Sequence, residues 1–359
     1  MRFLLISIFS LITFFGFSDD MDEDLITYHP YYTPKSKNYS EGHLIDKSQI
    51  MPGYNAAAKI DIGKDIDAYV IGTYLFYQPI QKGLTYAHTA DNANSNTGKY
   101  FEMHSNYKSA FRLAVGFSTN YDDWSYTAEY TRLHFSKNKE VDQRSVNTWI
   151  HFNTVTPDLM VVSNTKAKWV LKLDILDLTL ARSFYSGTHL ILTPLFGIKG
   201  GFLDQSFNTD SVREEDESIL FSRDKSDSHL IGLLGGLKSK FLIFWGFNFF
   251  ADVEGALFYQ DFKVKNRQNN ANNQFALFDN SKNSISYINP SVKIAAGFEW
   301  GTYFNNNGAH VSFLAGYDSE IYFNQNLMTS LNELRINSRT KEIGNLFFHG
   351  LVGKLVLNF

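Results

Sequence analysis

Asp227-Ser-His229 places a carboxylate and an imidazole two residues apart, so on an extended strand both stand on one face and can orient and activate a water. Little else in the chain suits covalent chemistry. The other histidines are scattered, cysteine is absent, and there is neither a phosphate-cradling glycine motif nor a Gly-x-Ser-x-Gly elbow. Two-residue Asp/His spacing arises readily by chance, and no paired carboxylate can be picked out opposite it. The expectation is therefore no enzyme, no cofactor and no metal site, with a rim-located protease using Asp227 and His229 as the least favoured alternative. Glu214-Glu-Asp-Glu217 lacks the alternating ligands and turn glycine of an EF-hand loop, and reads as a solvated surface loop.

A second chemistry is open to charged residues that alternate with apolar ones. Arg112, Lys168, Lys172, Lys199, Lys238, Lys293 and Lys354 are expected to share an inward face with Glu129, Asp174, Asp177, Asp252, Glu254, Glu299, Asp318 and Glu320. Facing lipid, a Lys or Arg at the bilayer midplane would cost roughly 2 to 4 kcal/mol, so a water-filled lumen is their natural place. Such a set can form a pore wall whose field filters polar solutes. It can equally form ion pairs that fill a narrow barrel and keep it closed. Cations and anions nearly balance, so no ion preference is readable.

The elements that must position these charges are strands. Val292, Ile294, Ala296, Phe298 and Trp300 alternate with Ser291, Lys293, Ala295, Gly297 and Glu299, and residues 247–259 and 309–317 repeat the split. One face suits hydrocarbon and the other suits water. The final segment does the same: Leu351, Gly353, Leu355, Leu357 and Phe359 form an apolar stripe opposite Gly350, Val352, Lys354, Val356 and Asn358. This stripe is expected to be an assembly signal read by barrel-assembly machinery.

Ten segments carry strand character: about 66–78, 107–118, 123–136, 168–185, 188–206, 228–240, 247–265, 285–303, 308–323 and 345–359. Connections near 119–122, 186–187, 241–246 and 304–307 are short. Those over 79–106, 137–167, 207–227, 266–284 and 324–344 are long, and the latter two kinds alternate as in a meander that crosses a membrane repeatedly. Between Trp169 and Leu180 the apolar parity changes, which suggests a β-bulge near Ile175. Tyr121, Trp124, Trp245, Trp300 and Tyr303 beside the short turns suggest an aromatic girdle.

Residues 1–18 read as a cleaved signal peptide, one early cation followed by an apolar run, with acidic residues directly after it. No later stretch reaches the roughly eighteen uncharged apolar residues that a spanning helix needs. Residues 19–65 are expected to form a periplasmic or luminal segment and 66–359 an outer-membrane β-barrel. Aromatics make up 16% of the chain and the net charge is only -4, which leaves no polyelectrolyte signal for nucleic acid.

The run Phe111-Arg-Leu-Ala-Val-Gly-Phe-Ser-Thr-Asn-Tyr-Asp-Asp-Trp124, with Ser125-Tyr-Thr-Ala-Glu-Tyr-Thr-Arg-Leu133, resembles a hairpin of the Legionella-type major outer membrane protein family. Leu176-Asp-Leu-Thr-Leu-Ala-Arg182, Phe196-Gly-Ile-Lys-Gly200, Trp300 to Asn307 with Tyr322-Phe-Asn-Gln-Asn326, and Gly350 to Phe359 are similar to the same family. Pro52-Gly-Tyr-Asn-Ala-Ala-Ala-Lys-Ile60, leading to Tyr74-Leu-Phe-Tyr77, resembles members from chlamydia-like bacteria. The resemblance covers most of 52–359 and implies a pore-forming outer-membrane barrel; it brings no catalytic or cofactor residues.

Together these readings give an all-β, antiparallel up-and-down transmembrane barrel of about 10–12 strands. Its expected role is a porin passing ions or small polar solutes, with outer-membrane lipid as its surroundings and a homo-oligomer as a possible state. A structural or adhesive surface barrel with a blocked lumen is the competing class. Deleting Phe359 should impair outer-membrane insertion, read as loss of the heat-modifiable, membrane-embedded form; normal insertion of that deletion would refute the assembly role.

Overall fold

Alternation between two solvents drives the chain into long antiparallel strands, because a strand in lipid must find a partner for every N–H and C=O it carries. The computed structural model describes residues 56–60, 62, 66–89, 98–119, 123–149, 161–270, 278–328 and 343–359. The expected signal peptide and residues 19–55 lie outside the described residues, as does Tyr121.

Ten strands form the wall: β1 (Ile66–Gln81), β4 (Lys108–Thr119), β5 (Trp124–Val141), β7 (Val161–Arg182), β9 (Leu190–Arg213), β10 (Ile219–Phe244), β11 (Phe247–Asn270), β12 (Phe278–Phe304), β13 (Ala309–Asn326) and β14 (Gly344–Asn358). Each pairs with its neighbour in this order, and β1 pairs with β14 to close the ring. Four short strands are added: β2 (Thr85–His88), β3 (Tyr100–Glu102) and β6 (Ser145–Asn147) at the long-loop end, and β8 (Phe184–Tyr185) at the short-turn end. The expected barrel is present, with ten strands in its wall.

Register sets the width. Hydrogen-bonded partners followed once around run from Tyr69 through Gly116, Thr127, Thr179, Gly197, Leu234, Ala256, Ser291, Tyr322 and Leu346 back to Gln81 on β1. The row returns twelve residues higher on the strand where it began. Ten strands with that stagger tilt by about 40° and give a backbone radius of about 10 Å. A bore that narrow is filled by the side chains pointing into it.

The outer face carries the lipid stripe: Leu113 and Val115 on β4, Phe196 and Ile198 on β9, Ile231 and Leu233 on β10, Val253 and Leu257 on β11, and Leu351 and Leu357 on β14 are all exposed. Trp124, Trp245 and Trp300 sit on or beside it near the short turns. Tyr303 does not; its parity on β12 turns it inward, where its ring packs 4.7 Å from His310.

Two sequence expectations change. The stretches 207–227 and 266–284 are largely strand rather than loop: β9 and β10 extend until only residues 214–218 connect them, and β11 and β12 run to Asn270 and from Phe278. Beyond the lipid both faces of a strand can be polar, so the two-solvent signal fades while backbone pairing continues. The acidic run is then a tight turn. Arg144 Nε pairs with Glu214 at 2.7 Å, Arg213 pairs with Glu215 and Asp216, and the Ser218 hydroxyl and N–H hold the Asp216 carboxyl below its ordinary range.

The second change concerns Ile175. β7 pairs with β5 without interruption from Thr165 to Arg182, and with β9 without interruption from Asn164 to Ala181, so there is no bulge there. Trp169, Leu171, Leu173 and Ile175 are buried inside the barrel, whereas Leu176 and Leu178 face out. The parity change marks the strand leaving the lipid: below this point apolar residues face outward, above it they face inward.

At the short-turn end, residues 56–58 pair with the β8 segment: Tyr185 N–H donates to Ala56 O at 2.9 Å and Ala58 N–H to Ser183 O at 3.0 Å. Lys59 Nζ lies 3.6 Å from the buried Asp67 carboxylate and 3.5 Å from that of Asp123. The β10–β11 turn is the pair Trp245-Gly246, both with positive φ, the geometry that matches the twist of a hairpin. A Cβ on Gly246 would come 2.2 Å from Gly301 O. Gly246→Val should therefore lower stability by about 1–3 kcal/mol, seen as an earlier urea midpoint for loss of the fast-migrating folded form; an unchanged midpoint would contradict this account.

Candidate functional site

Because side chains alternate, the register alone decides which charges meet in the lumen. Arg112 on β4, Glu129 on β5, Asp177 on β7, Lys199 on β9, Lys238 on β10, Asp252 and Glu254 on β11, Lys293 and Glu299 on β12, Asp318 and Glu320 on β13, and Lys354 on β14 all have inward parity. They form a belt behind the lipid stripe.

Most of the belt is paired. Arg112 is its hub: Nη1 lies 2.8 Å from Asp318 Oδ2, Nη2 lies 3.6 Å from Glu320 Oε2 and donates to the Tyr77 hydroxyl at 2.9 Å, and Nε lies 3.9 Å from Glu129 Oε1. Lys199 joins Glu320 at 3.2 Å to Asp177 at 3.4 Å. Glu254 bridges Lys238 at 3.6 Å and Lys293 at 3.4 Å, and Glu299 binds Lys240 at 2.8 Å. Asp252 and Lys354 make no direct ion pair among the described residues.

Lys168, Lys172 and Asp174, expected in the lumen, are on the outer face instead. They sit at even positions of β7, above the point where its polarity inverts, so the inward places belong to Trp169, Leu171, Leu173 and Ile175. Assigning every charge to the lumen fails wherever a strand extends past the lipid.

Asp227 and His229 also face outward. Asp227 Oδ2 accepts from Lys225 Nζ at 2.7 Å, and the His229 ring meets Phe202 edge-on at 5.0 Å. Register sets Asp204 opposite Asp227 and Asp261 opposite His229, partners that the sequence spacing does not reveal. Asp261 is occupied by the hydroxyls of Ser284 and Ser286, at 3.0 and 2.9 Å. The imidazole thus stands on the outer face of β10, away from the lumen.

Above the belt the lumen becomes apolar. Tyr77 and Tyr322 mark the change: the Arg112 guanidinium lies 5.7 Å from the Tyr77 ring and Lys199 Nζ 5.8 Å from that of Tyr322. Leu133, Leu171, Trp169, Phe207, Phe258 and Phe348 are fully buried over them, with Phe135 stacked edge-on against Trp169 at 4.6 Å. Through this layer runs a neutral amide network. Gln205 Nε2 donates to Gln81 Oε1 at 3.0 Å, Gln260 and Gln325 exchange hydrogen bonds at 2.9 and 3.0 Å, and Asn289 Nδ2 donates to Gln260 Oε1 at 3.0 Å.

Thr148 and Trp149, directly after β6, lie over the mouth. Trp149 Nε1 donates to Thr85 O at 2.7 Å, its carbonyl accepts from Gln268 Nε2 at 2.9 Å, and its ring lies 4.4 Å from Phe207. Asn147 Nδ2 reaches Ser211 Oγ at 2.7 Å. Sequence reasoning missed this contact; the inward parity of Trp169 to Ile175 was its one visible trace. Among the described residues no cluster of His, Asp and Glu is arranged to hold a metal ion.

Three comparisons bear on this barrel. No curated protein matches the chain. Among solved structures it is similar to a Pseudomonas aeruginosa FadL homologue, at 9% identity over 82% of this chain and 90% of that one with a TM-score of 0.28. It is likewise similar to the monoaromatic hydrocarbon channel CymD, at 10% identity over 87% and 96% with a TM-score of 0.28. The Pseudomonas putida toluene transporter TodX is similar at 7% identity over 82% and 89%, with a TM-score of 0.25. A family model described as the Legionella pneumophila major outer membrane protein precursor matches residues 66–355, from the first wall strand nearly to the end of the last. The closed ring, the lipid stripe and this match agree: the chain belongs to the Legionella major outer membrane protein family.

Proposed function

We propose that the barrel is a channel for ions and small polar solutes, shut in the described conformation by the aromatic and amide layers above its charged belt. The observation that carries this is the belt itself. Buried ion pairs cost desolvation, and replacing them with well-packed apolar residues is often neutral or stabilising. A barrel kept only for structure gains nothing from so many inward charges behind its lipid stripe. Polar solutes crossing there would find in the belt donors and acceptors that replace their water. The filled lumen favours one other reading, a structural or adhesive surface barrel.

Recording from purified full-length protein in planar bilayers separates the two. Stepwise conductance is expected from wild type, and Trp149→Gly should raise open probability several-fold, because it removes the mouth contact to Thr85 and Phe207 while leaving the belt intact. Silence from both proteins, each verified as folded, would overturn the channel. The belt makes a separate prediction in stability. Arg112→Leu strands Asp318 and Glu129, leaves Glu320 with Lys199 alone, and should cost about 3–5 kcal/mol in urea unfolding; a loss under 1 kcal/mol would show that the belt is open to water.

A further inference from the structure

We infer that the outer face of β5 and β7 is a docking site for the phosphorylated head group of an outer-leaflet lipid. Three successive paired rows make the site. The lower row, Tyr130–Leu176–Gly200–Ile231, belongs to the lipid stripe. The rows directly above carry Arg132 with Asp174, then His134 with Lys172, and Lys168 lies two rows further up. Cations therefore begin about 7 Å above the apolar edge, one pleat repeat along the strand.

Between them lies a groove of about 420 Å³, lined by Tyr130, Arg132, His134, Asp174, Leu176 and Phe202 and floored by Gly200 and Gly201. Gly200 presents no side chain to the outside, which leaves room for an acyl chain against Leu176 and Phe202.

The polar roof is built rather than scattered. Asp174 accepts from the Tyr130 hydroxyl at 2.6 Å and faces His134 Nε2 at 2.6 Å, fixing the imidazole. Arg132 Nε stays 4.0 Å from that carboxylate, with the side chain half exposed. Lys168 and Lys172 are exposed and have no ion-pair partner among the described residues. Asp174 lies among these cations, and Asp204, the outward register partner of Lys172, bounds the patch with Asp227 beyond it. Positive charge above an apolar groove complements a lipid phosphate above its chains. A soluble anion would have no use for the groove.

The test uses full-length protein in phosphatidylcholine nanodiscs doped with phosphatidic acid, with retained lipid counted by native mass spectrometry. A cation beside an anionic head group is worth about fivefold in affinity, so the double variant R132Q/K172Q should lose on the order of 25-fold of the preference for phosphatidic acid. Lys265→Gln, on the outer face of β11 away from the groove, should keep it. Equal preference in wild type and the double variant, both showing folded heat-modifiable mobility, would overturn the site. Displacement of the lipid by millimolar inorganic phosphate would overturn the lipid assignment, leaving a free-anion site. None of these readouts depends on conductance.

Discussion

A strand in hydrocarbon has no water to satisfy its backbone, so the pairing of β1 with β14 is the interaction on which the rest depends. Thirteen residue pairs, from Tyr69 with Asn358 to Gln81 with Leu346, turn a ribbon with two raw edges into a ring with none. The backbone of Phe359 extends the seam, exchanging hydrogen bonds with Ala68 at 2.9 and 3.1 Å. Once the ring closes with its particular stagger, the radius is set, and with it the crowding of inward side chains. Arg112 can reach partners on β1, β5 and β13 because the bore is narrow.

That crowding has two chemical solutions in one molecule. Behind the lipid stripe the lumen is charged, with most of those charges joined in ion pairs; nearer the mouth it is aromatic and amide. Tyr77 and Tyr322 suit the border because each presents a ring upward and a polar edge to the belt. The neutral Gln81, Gln205, Gln260 and Gln325 cross the lumen without placing a net charge among the buried aromatics. The mouth is thus held by short-range contacts, and the belt by Coulomb attraction.

Much of this was legible in the residues. All ten wall strands stood out, because lipid on one side and water on the other write period-two alternation into Phe247 to Tyr259 and Val292 to Trp300. The same alternation placed Arg112, Lys199, Glu254 and Asp318 on the inner face. It misplaced Lys168, Lys172 and Asp174, because parity carries no sign of its own: a polar residue marks the inside only while the outside is oil. It also missed the ends of β9 to β12, where Ser, Asn and Asp occupy positions wetted from outside. The ion-pair partners and the Trp149 contact were illegible for another reason. They join residues that only the stagger and closure of the ring bring together.

The inversion at Ile175 gives one strand two opposite grammars. From Leu176 to Leu180, β7 is a membrane protein, oily outside; from Ile175 back to Thr165 it is a small globular protein, oily inside and studded with lysine outside. Such a strand carries its own depth gauge. Pushed further into the bilayer, it would drag Lys172 and Asp174 into hydrocarbon; pulled outward, it would bare Leu176 and Leu178 to water. The vertical position of this strand is thus held from both directions by a change of pattern between two adjacent residues.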